Sequence, residues 1–283
     1  MGFVMKNLKE YGFLTDNKVY VVAEIGLNHG GNIDTAKILI DSAAKTGVDA
    51  VKFQTYLTEK RVPKNSPIFD ILKKCELPFK AFKELKDYAE KYKVEFFSTP
   101  FDEESIDFLE SIDSALYKVA SFDVVNRKLL SKIADTKKTI IMSVGMANLS
   151  EIEEAFKILN NKTKKLAILH CISAYPAKEE DVNLSAIYTL KDKFDCIIGQ
   201  SDHTNGIIVP VYAVAAGAQV IEKHYKIDEN MNCVDAPVSI SEGKMKELVL
   251  KIRKLEKILG DGELGIRKAE VECKIFRRNN KLQ

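Results

Sequence analysis

Short apolar runs rich in β-branched residues recur along the whole chain, and polar or turn-forming residues bound each of them. Eight such runs lie at residues 19–26, 50–55, 95–100, 116–121, 139–145, 166–171, 196–201 and 220–225. Runs of this length and composition are typical of buried β-strands. The pattern therefore predicts eight strands.

The segments between these runs show helical spacing of apolar residues, with recognisable start and stop signals. One segment begins after Asn32 and ends at Gly47, which is a cap-to-cap helix pattern. The segments after Asp102 and Ser150 carry acidic residues in their first turn, which suits the helix dipole. The last helical pattern is the longest and ends at Gly260. Helices thus alternate with strands.

This alternation predicts an α/β fold of the TIM (β/α)8 barrel class, because eight strand–helix units fit a chain of 283 residues. An open doubly wound sheet also alternates strands and helices, but no GxGxxG motif follows the first strand. We expect the barrel to span residues 1–262 and a C-terminal tail or linker to span 263–283. Residues 57–79 contain three prolines and predict a long loop, which in a compact domain is usually functional or mobile.

Composition narrows the class of protein further. The formal net charge of +2 gives no reason to expect a nucleic-acid or membrane partner. The five cysteines form no CxxC pair, which suits a reducing compartment. No segment approaches the ~18 consecutive apolar residues of a membrane span. We therefore expect a soluble, cytoplasmic protein.

Polar and ionisable residues stand at the carboxyl ends of the predicted strands, where barrels of this class carry their chemistry. They are Glu24, Lys52, Ser98, Lys118, Ser121, Ser143, His170, Ser201, His203, Lys223 and His224. Any one of them could serve as a buried structural residue. Burying all of them is costly unless they face a ligand or a wet cavity, so the pattern predicts an active site.

The charged residues among them narrow the ligand. Lys52 and Lys118, together with nearby serine hydroxyls, are what a phosphate with a neighbouring carboxylate requires. Alternatively, each lysine could form an internal ion pair, for example with Glu24. Candidates for proton transfer or metal support are Glu24, Asp123, Asp202 and Asp235.

The chain contains four histidines, and two of them follow neighbouring strands. His203 and His224 end strands seven and eight, so their imidazoles predict an open site for a divalent metal ion. Taken singly, each could be a hydrogen-bonded structural residue. We expect His170 to be structural, and His29 either borders the substrate mouth or satisfies a turn.

A set of motifs in a fixed order closely resembles the sialic acid synthase family. The motifs are "VVAEIGLNHGGN", "AVKFQT", "FFSTPFDEESIDFL", "YKVASFD", "MSVGMANLSEI", "HCISAYPAKEEDVNL", "GQSDHT" and "VIEKHY". The resemblance runs from about residue 19 to 262. It implies that phosphoenolpyruvate condenses with an open-chain sugar such as N-acetylmannosamine, giving N-acetylneuraminate or a relative plus phosphate. It also implies a divalent ion, Mn²⁺ or Mg²⁺, which polarises the sugar aldehyde.

The resemblance carries roles onto particular residues of this chain. Its metal ligands fall on His203 and His224, and its sugar-pocket residues on Tyr175 and Asp235. A carboxylate of the family falls on Glu24, the first candidate to handle the proton of the attacking water. Its phosphoenolpyruvate-binding lysines and serines fall on Lys52, Lys118, Ser121, Ser143 and Ser201.

Three departures from the family pattern leave the sugar open. Asp123 stands where many members have glutamate, and Ser173 stands where some have an asparagine near the acetamido group. The segment "CVDAPVSIS" is closer to pseudaminate synthases than to N-acetylneuraminate synthases. One alternative is therefore a pseudaminate or legionaminate synthase acting on a 2,4-diacetamido-2,4,6-trideoxyhexose.

Two more distant alternatives remain. A related synthase could act on a phosphorylated sugar, although no second arginine-rich phosphate site is evident. A non-catalytic paralogue could bind phosphoenolpyruvate or sugar without turnover, although the complete set of site residues argues against it.

The resemblance also implies a small antifreeze-like domain after the barrel, which supplies an arginine to the partner subunit's pocket. We expect this domain to be absent here and Arg277 and Arg278 to belong to a basic tail. A homodimer is expected from the family.

Overall fold

The computed structural model describes residues 6–16 and 19–278. Eight parallel strands pair in chain order, and β8 pairs with β1 to close a barrel. The strands are β1 (Tyr20–Gly26), β2 (Ala50–Thr55), β3 (Glu95–Pro100), β4 (Leu116–Val119), β5 (Thr139–Ser143), β6 (Leu166–Cys171), β7 (Ile197–Asp202) and β8 (Val220–His224). The predicted TIM-barrel fold is confirmed.

The described helices surround the barrel and lie in the connections between strands, except for the last one, which follows β8. They are α1 (Ile33–Ala44), α2 (Thr58–Arg61), α3 (Phe69–Cys75), α4 (Phe79–Lys91), α5 (Glu103–Ser111), α6 (Arg127–Asp135), α7 (Leu149–Asn160), α8 (Ala186–Lys193), α9 (Ile208–Ala215) and α10 (Glu242–Leu259). None of them is both long enough and apolar enough to cross a membrane.

Helix starts follow the side chains that can cap them. The Asn32 side chain accepts a hydrogen bond from the backbone of Thr35, as the sequence predicts. Helix α7 begins earlier than the predicted start at Ser150. Asn148 and Glu151 form a capping box there, and this reciprocal pair fixes the first turn.

The predicted long loop after β2 is instead folded into the two short helices α2 and α3. Leu72 and Cys75 of α3 are buried in a small apolar cluster with Leu27 and Tyr56. Gly31, in a left-handed conformation, lies against the carbonyl of Lys74, where a Cβ would overlap that oxygen. Local packing therefore holds this segment over the carboxyl end of the barrel.

The lower part of the barrel interior is apolar and filled. Its buried side chains are Tyr20, Val22, Ala50, Phe97, Leu116, Ile141, Ala167, Leu169, Ile197 and Val220. Leu8 and Phe13, from a 3₁₀ turn (Leu8–Tyr11) and its exit, pack against them. The polar strand ends therefore stand above a sealed apolar floor.

Helix α10 returns to the start of the barrel. Arg253 donates hydrogen bonds to the carbonyl oxygen of Val19 (2.8 Å) and to Asp49 Oδ2 (2.9 Å). Beyond this helix, residues 260–278 are exposed, including Arg277 and Arg278.

Candidate active site

A cavity of about 370 Å³ opens at the carboxyl end of the barrel. Each of the eight strands contributes a lining residue, namely Glu24, Lys52, Thr99, Lys118, Ser143, Cys171, Ser201 and Glu222. The connections add Ser121, Tyr175, His203 and Asp235, and His224 ends β8. Ten of the twelve residues that the family resemblance singles out therefore line one cavity.

Two buried lysines and two buried glutamates form the base of this cavity. Lys52 Nζ lies 2.9 Å from Glu24 Oε2 and 3.6 Å from Glu222 Oε2. Lys118 Nζ lies 3.6 Å from Glu222 Oε1. Glu222 thus stands between the two ammonium groups and attracts both.

Burial and neighbouring charge move the pKa values of these groups in different directions. Burial raises the pKa of Glu24, although Lys52 opposes this change. Burial also favours neutral Glu222, but Lys118 and Lys52 outweigh it and lower its pKa to about 2. Burial lowers the pKa of Lys118, and Glu222 offsets part of that effect. Of these two carboxylates, Glu24 is therefore the one that more readily takes a proton.

Hydroxyl groups surround the ammonium groups. Lys118 Nζ donates to Ser143 Oγ (2.7 Å), and Lys52 Nζ donates to Thr99 Oγ1 (3.2 Å). Ser201 Oγ donates to Glu222 Oε1 (2.8 Å). This set of cations and hydroxyls matches what a phosphate or carboxylate needs for binding.

The two histidines predicted to hold a metal ion converge on one wall. The His203 and His224 ring centroids are 5.4 Å apart. His203 Nδ1 lies 2.8 Å from the Ile172 carbonyl, which can only accept a hydrogen bond, so Nδ1 carries the proton and Nε2 keeps its lone pair. Burial and His224 lower the pKa of His203 to about 3, which keeps it neutral.

Asp235 stands beside the second histidine. Its Oδ2 lies 3.5 Å from His224 Nδ1 and accepts a hydrogen bond from the Leu27 backbone (3.2 Å). Burial lowers the pKa of His224, but Asp235 outweighs it and raises the pKa overall. A Cβ on Gly26, which has a positive φ, would overlap this carboxylate.

Three residues on the β4 and β6 connections differ in their placement. The Tyr175 ring packs 4.1 Å from the His203 ring, at the cavity wall. Asp123 does not line the cavity and accepts a hydrogen bond from Asn126 Nδ2 (3.2 Å). Ser173 is not a lining residue either, but its buried Oγ lies beside Gly145, whose backbone N–H donates to Ser121 Oγ (3.0 Å).

Several other polar residues near the strand ends face away from the cavity. Lys223 Nζ pairs with Asp202 Oδ2 at 2.6 Å in the outer layer. Ser98 Oγ shares a hydrogen bond with Thr55 Oγ1 (2.7 Å). His170 Nε2 donates to the Val182 carbonyl (2.6 Å), which gives it the structural role predicted for it.

His29 is buried outside the cavity, so it satisfies a turn and does not border the substrate mouth. Its Nδ1 accepts a hydrogen bond from the Gly31 backbone (3.1 Å), and its ring stacks on Phe53. Burial lowers its pKa to about 4.

The sequence analysis did not identify five of the lining residues with polar or thiol side chains. They are Gln54, Arg61, Thr99, Cys171 and Glu222. Strand alternation would have identified Glu222, because it lies two positions before His224 on β8 and so faces the same side.

Comparison with known proteins places the chain in a family. Residues 39–264 match the NeuB family. A protein of Methanocaldococcus jannaschii, itself uncharacterised, is 47% identical over 245 residues, which is 86% of this chain and 73% of that protein. The N,N'-diacetyllegionaminic acid synthase of Campylobacter jejuni is 41% identical over 270 residues, which is 89% of this chain and 81% of that enzyme.

A solved structure is similar over almost its full length. The N-acetylneuraminic acid synthetase of Leptospira borgpetersenii, in complex with citrate, superposes with a TM-score of 0.91 at 40% identity and 94% coverage of both chains. The predicted resemblance and the prediction of an enzyme are therefore confirmed. The chain belongs to the NeuB family, whose members include the synthases of sialic, legionaminic and pseudaminic acids.

Proposed function

We propose that this enzyme condenses phosphoenolpyruvate with an open-chain 2-acetamido sugar and water, giving a nonulosonic acid and inorganic phosphate. Carbon 3 of phosphoenolpyruvate forms the new C–C bond to the sugar aldehyde. Water then adds at carbon 2, and phosphate leaves with cleavage of its C–O bond. One observation carries the proposal: a single cavity holds two buried ammonium groups with hydroxyls next to two convergent imidazoles.

The base of the cavity suits phosphoenolpyruvate. Lys52, Lys118 and the hydroxyls of Ser143 and Ser201 offer donors for phosphate and carboxylate oxygens. They also remain in place as negative charge accumulates on the leaving phosphate, which is where preorganised donors lower a barrier. Ser121 lines the same cavity and is proposed to bind the same substrate.

The histidine wall fits a divalent metal ion. His203 is neutral and keeps Nε2 free, and the buried Nδ1 of His224 has no hydrogen bond of good geometry from any described residue. Within residues 6–16 and 19–278, no group of three or more His, Cys, Asp or Glu side chains could hold a metal ion. The proposed site therefore has two protein ligands, and water and substrate oxygens would supply the others. When bound, Mn²⁺ or Mg²⁺ supplies Lewis-acid polarisation of the sugar aldehyde.

The protein side chains handle protons and orientation. Glu24, whose pKa burial raises, takes the proton of the water that adds at carbon 2. Asp235 orients a sugar hydroxyl or a water molecule beside His224, and Tyr175 forms the adjacent wall. Asp123 and Ser173, which lie off the cavity, act by supporting the β4 and β6 connections.

The mouth of the cavity favours a deoxygenated sugar as a second candidate substrate. Its rim carries the exposed apolar side chains of Ile68, Ile71, Phe122 and Val234. A methyl group at carbon 6 and a second acetamido methyl would bury against such side chains, whereas hydroxyls would lose water there. A 2,4-diacetamido-2,4,6-trideoxyhexose has both features.

The test is release of phosphate from phosphoenolpyruvate in the presence of Mn²⁺. The sugars would be N-acetylmannosamine, its 6-phosphate and a 2,4-diacetamido-2,4,6-trideoxyhexose. We expect release with one of them, abolished by EDTA and by His224→Ala. The matched control is His170→Ala, which removes an imidazole outside the cavity and should keep metal-dependent turnover. No release with any sugar from enzyme that binds phosphoenolpyruvate would contradict the proposal.

A further inference from the structure

A single arginine of the described chain lines the cavity, and its position is fixed on three sides. Arg61 is the last residue of α2, and its guanidinium carbon lies 3.7 Å from the ring centroid of Phe101 and 4.7 Å from that of Tyr56. Its Nη1 donates to Gln54 Oε1 (3.0 Å). Two aromatic faces and one hydrogen bond therefore hold the guanidinium plane at the cavity.

Among residues 6–16 and 19–278, no carboxylate forms an ion pair with this arginine within 4 Å. Lys52 and Lys118 each have a glutamate oxygen within 4 Å. Arg61 has none within that distance in the described chain, although it is partly buried, and the carboxylates of Asp123, Asp235 and Glu24 act on it only from further away. Burial lowers its pKa, but a guanidinium starts so far above neutral pH that it stays charged.

Most of its hydrogen-bonding capacity is also free. A guanidinium presents five N–H donors, and the described residues accept a hydrogen bond from only one of its nitrogens. A half-buried cation with free, fixed donors at a cavity wall is complementary to a planar or tetrahedral anion.

We infer that Arg61 is a substrate-binding residue that holds an anionic group, carboxylate or phosphate, of a bound substrate. This inference rests on the proposed function for the identity of the substrate. The anion belongs either to phosphoenolpyruvate or to a phosphorylated sugar. In the second case, Arg61 selects between a sugar phosphate and the neutral sugar.

The contact with Gln54 connects this anion site to the reacting centre. Gln54 Nε2 donates to Glu24 Oε1 (3.2 Å), while its Oε1 accepts from Arg61. The amide therefore bridges the guanidinium and the proposed base. An anion at Arg61 fixes the amide and, through it, the position of the Glu24 carboxylate.

Calorimetric titration of phosphoenolpyruvate tests whether Arg61 binds an anionic group of phosphoenolpyruvate, and it does not require turnover. The proteins would be the wild type, Arg61→Met, Arg61→Lys and the control Lys60→Met, whose lysine pairs with Glu104 outside the cavity. If the anion is that of phosphoenolpyruvate, Arg61→Met weakens binding by about 10- to 100-fold. Arg61→Lys lies between it and the wild type, and Lys60→Met is unchanged.

Steady-state kinetics test whether Arg61 binds the phosphate of a phosphorylated sugar. If the anion is on the sugar, Arg61→Met leaves phosphoenolpyruvate binding unchanged. It then raises KM for N-acetylmannosamine 6-phosphate by about 10-fold or more relative to N-acetylmannosamine. Unchanged phosphoenolpyruvate binding together with unchanged discrimination between the two sugars would overturn the inference.

The titration also separates this inference from the proposed function. A wild-type protein that is inactive with every sugar would refute the proposed function. If such a protein still loses phosphoenolpyruvate binding on Arg61→Met, the inference about Arg61 stands. A purely structural role of Arg61 would lower the melting temperature of Arg61→Met while leaving both phosphoenolpyruvate binding and the discrimination between the two sugars unchanged, and that result overturns the inference.

Discussion

Glu222 and Lys223 are neighbours on β8, both are charged and both are buried, yet their surroundings differ completely. Lys223 faces the outer layer, where Asp202 Oδ2 lies 2.6 Å away and the Thr204 carbonyl accepts a further hydrogen bond. Glu222 faces the cavity, where its Oε2 lies within reach of Lys52 but makes no well-formed hydrogen bond within the described chain.

The difference shows how a structural charge can be separated from a functional one in the same strand. The outer pair is closed, because each charge has a close and well-oriented partner. The inner set is left open, since oxygens of Glu24 and Glu222 are buried without well-formed hydrogen bonds among the residues described. Burial alone does not distinguish the two sets, whereas hydrogen-bond completeness does.

The largest expected effect is a loss of stability when the outer ion pair of Lys223 and Asp202 is broken. Lys223→Met should destabilise the fold by about 3–5 kcal/mol, because it leaves the Asp202 carboxylate buried and unpaired. Urea denaturation measures this change. The double variant Lys223→Met with Asp202→Leu should recover part of it, and the folded protein should keep its activity. A single variant as stable as the wild type would remove the distinction between the two sets.

The next largest effect is a loss of catalysis when a charged residue of the cavity is replaced. Lys118→Met should lower the rate of phosphate release by about 10²- to 10³-fold, because it removes a preorganised cation. Its melting temperature should fall less than that of Lys223→Met, since Glu222 lies 3.6 Å from Lys118 and keeps Lys52 as a second cation, whereas Asp202 loses a partner at 2.6 Å. A variant with a much lower melting temperature whose folded fraction keeps the wild-type rate would assign Lys118 to the structural set.

The pH dependence of stability sharpens the comparison within the inner set. The pKa of Glu222 is lowered from 4.5 to about 2, so its ionised form stabilises the folded state above pH 4.5. This contribution of about 3 kcal/mol is lost as pH falls from 4.5 towards 2. Glu222→Gln should therefore be less stable than the wild type at neutral pH. Its melting temperature should also change less than that of the wild type as pH falls from 4.5 towards 2.

The ionisation of Glu24 should affect stability in the opposite direction. Its folded-state pKa is raised, so its ionisation costs stability as pH rises through that pKa. Glu24→Gln should consequently melt at the same or a higher temperature than the wild type at pH 7, while losing activity. Equal destabilisation by the two Glu→Gln changes would contradict their assigned environments.

The smallest effect repeats the comparison on β3. Ser98 faces outward to Thr55, and Thr99 faces the cavity and Lys52. Ser98→Ala should cost about 1 kcal/mol of stability with unchanged kinetics. Thr99→Val should keep its stability and raise KM for phosphoenolpyruvate a few-fold. Exchanged outcomes would show that the strand faces are assigned incorrectly.

The positions of the strand ends could be predicted from the sequence, because each strand is a continuous apolar run bounded by polar residues. The face that each residue occupies could not be predicted from the strand ends alone. Lys223 and Ser98 appear among the predicted site residues, although alternation along a strand places them opposite His224 and Thr99.

Arg61 was beyond sequence prediction for a different reason. Helix α2 has four residues, too few to show a helical period, and the position of Arg61 depends on contacts with nearby Tyr56 and with Phe101, which lies far along the chain. The pairing of His203 with His224 could be predicted, because both follow adjacent strands. The bridge made by Glu222 between two lysines could not, since it joins residues of β2, β4 and β8 that only closure of the eight-stranded barrel brings together.

Closure of the barrel has a consequence for how the polypeptide folds while it is synthesised on the ribosome. Strand β1 finds one of its two neighbours only in β8, and Arg253 of α10 then binds Val19 and Asp49 near the start of the barrel. A nascent chain that lacks these segments is an open sheet with two unpaired edges. Completion of the fold therefore waits until α10 has emerged, and the unfinished sheet is the stage most exposed to aggregation and to chaperones.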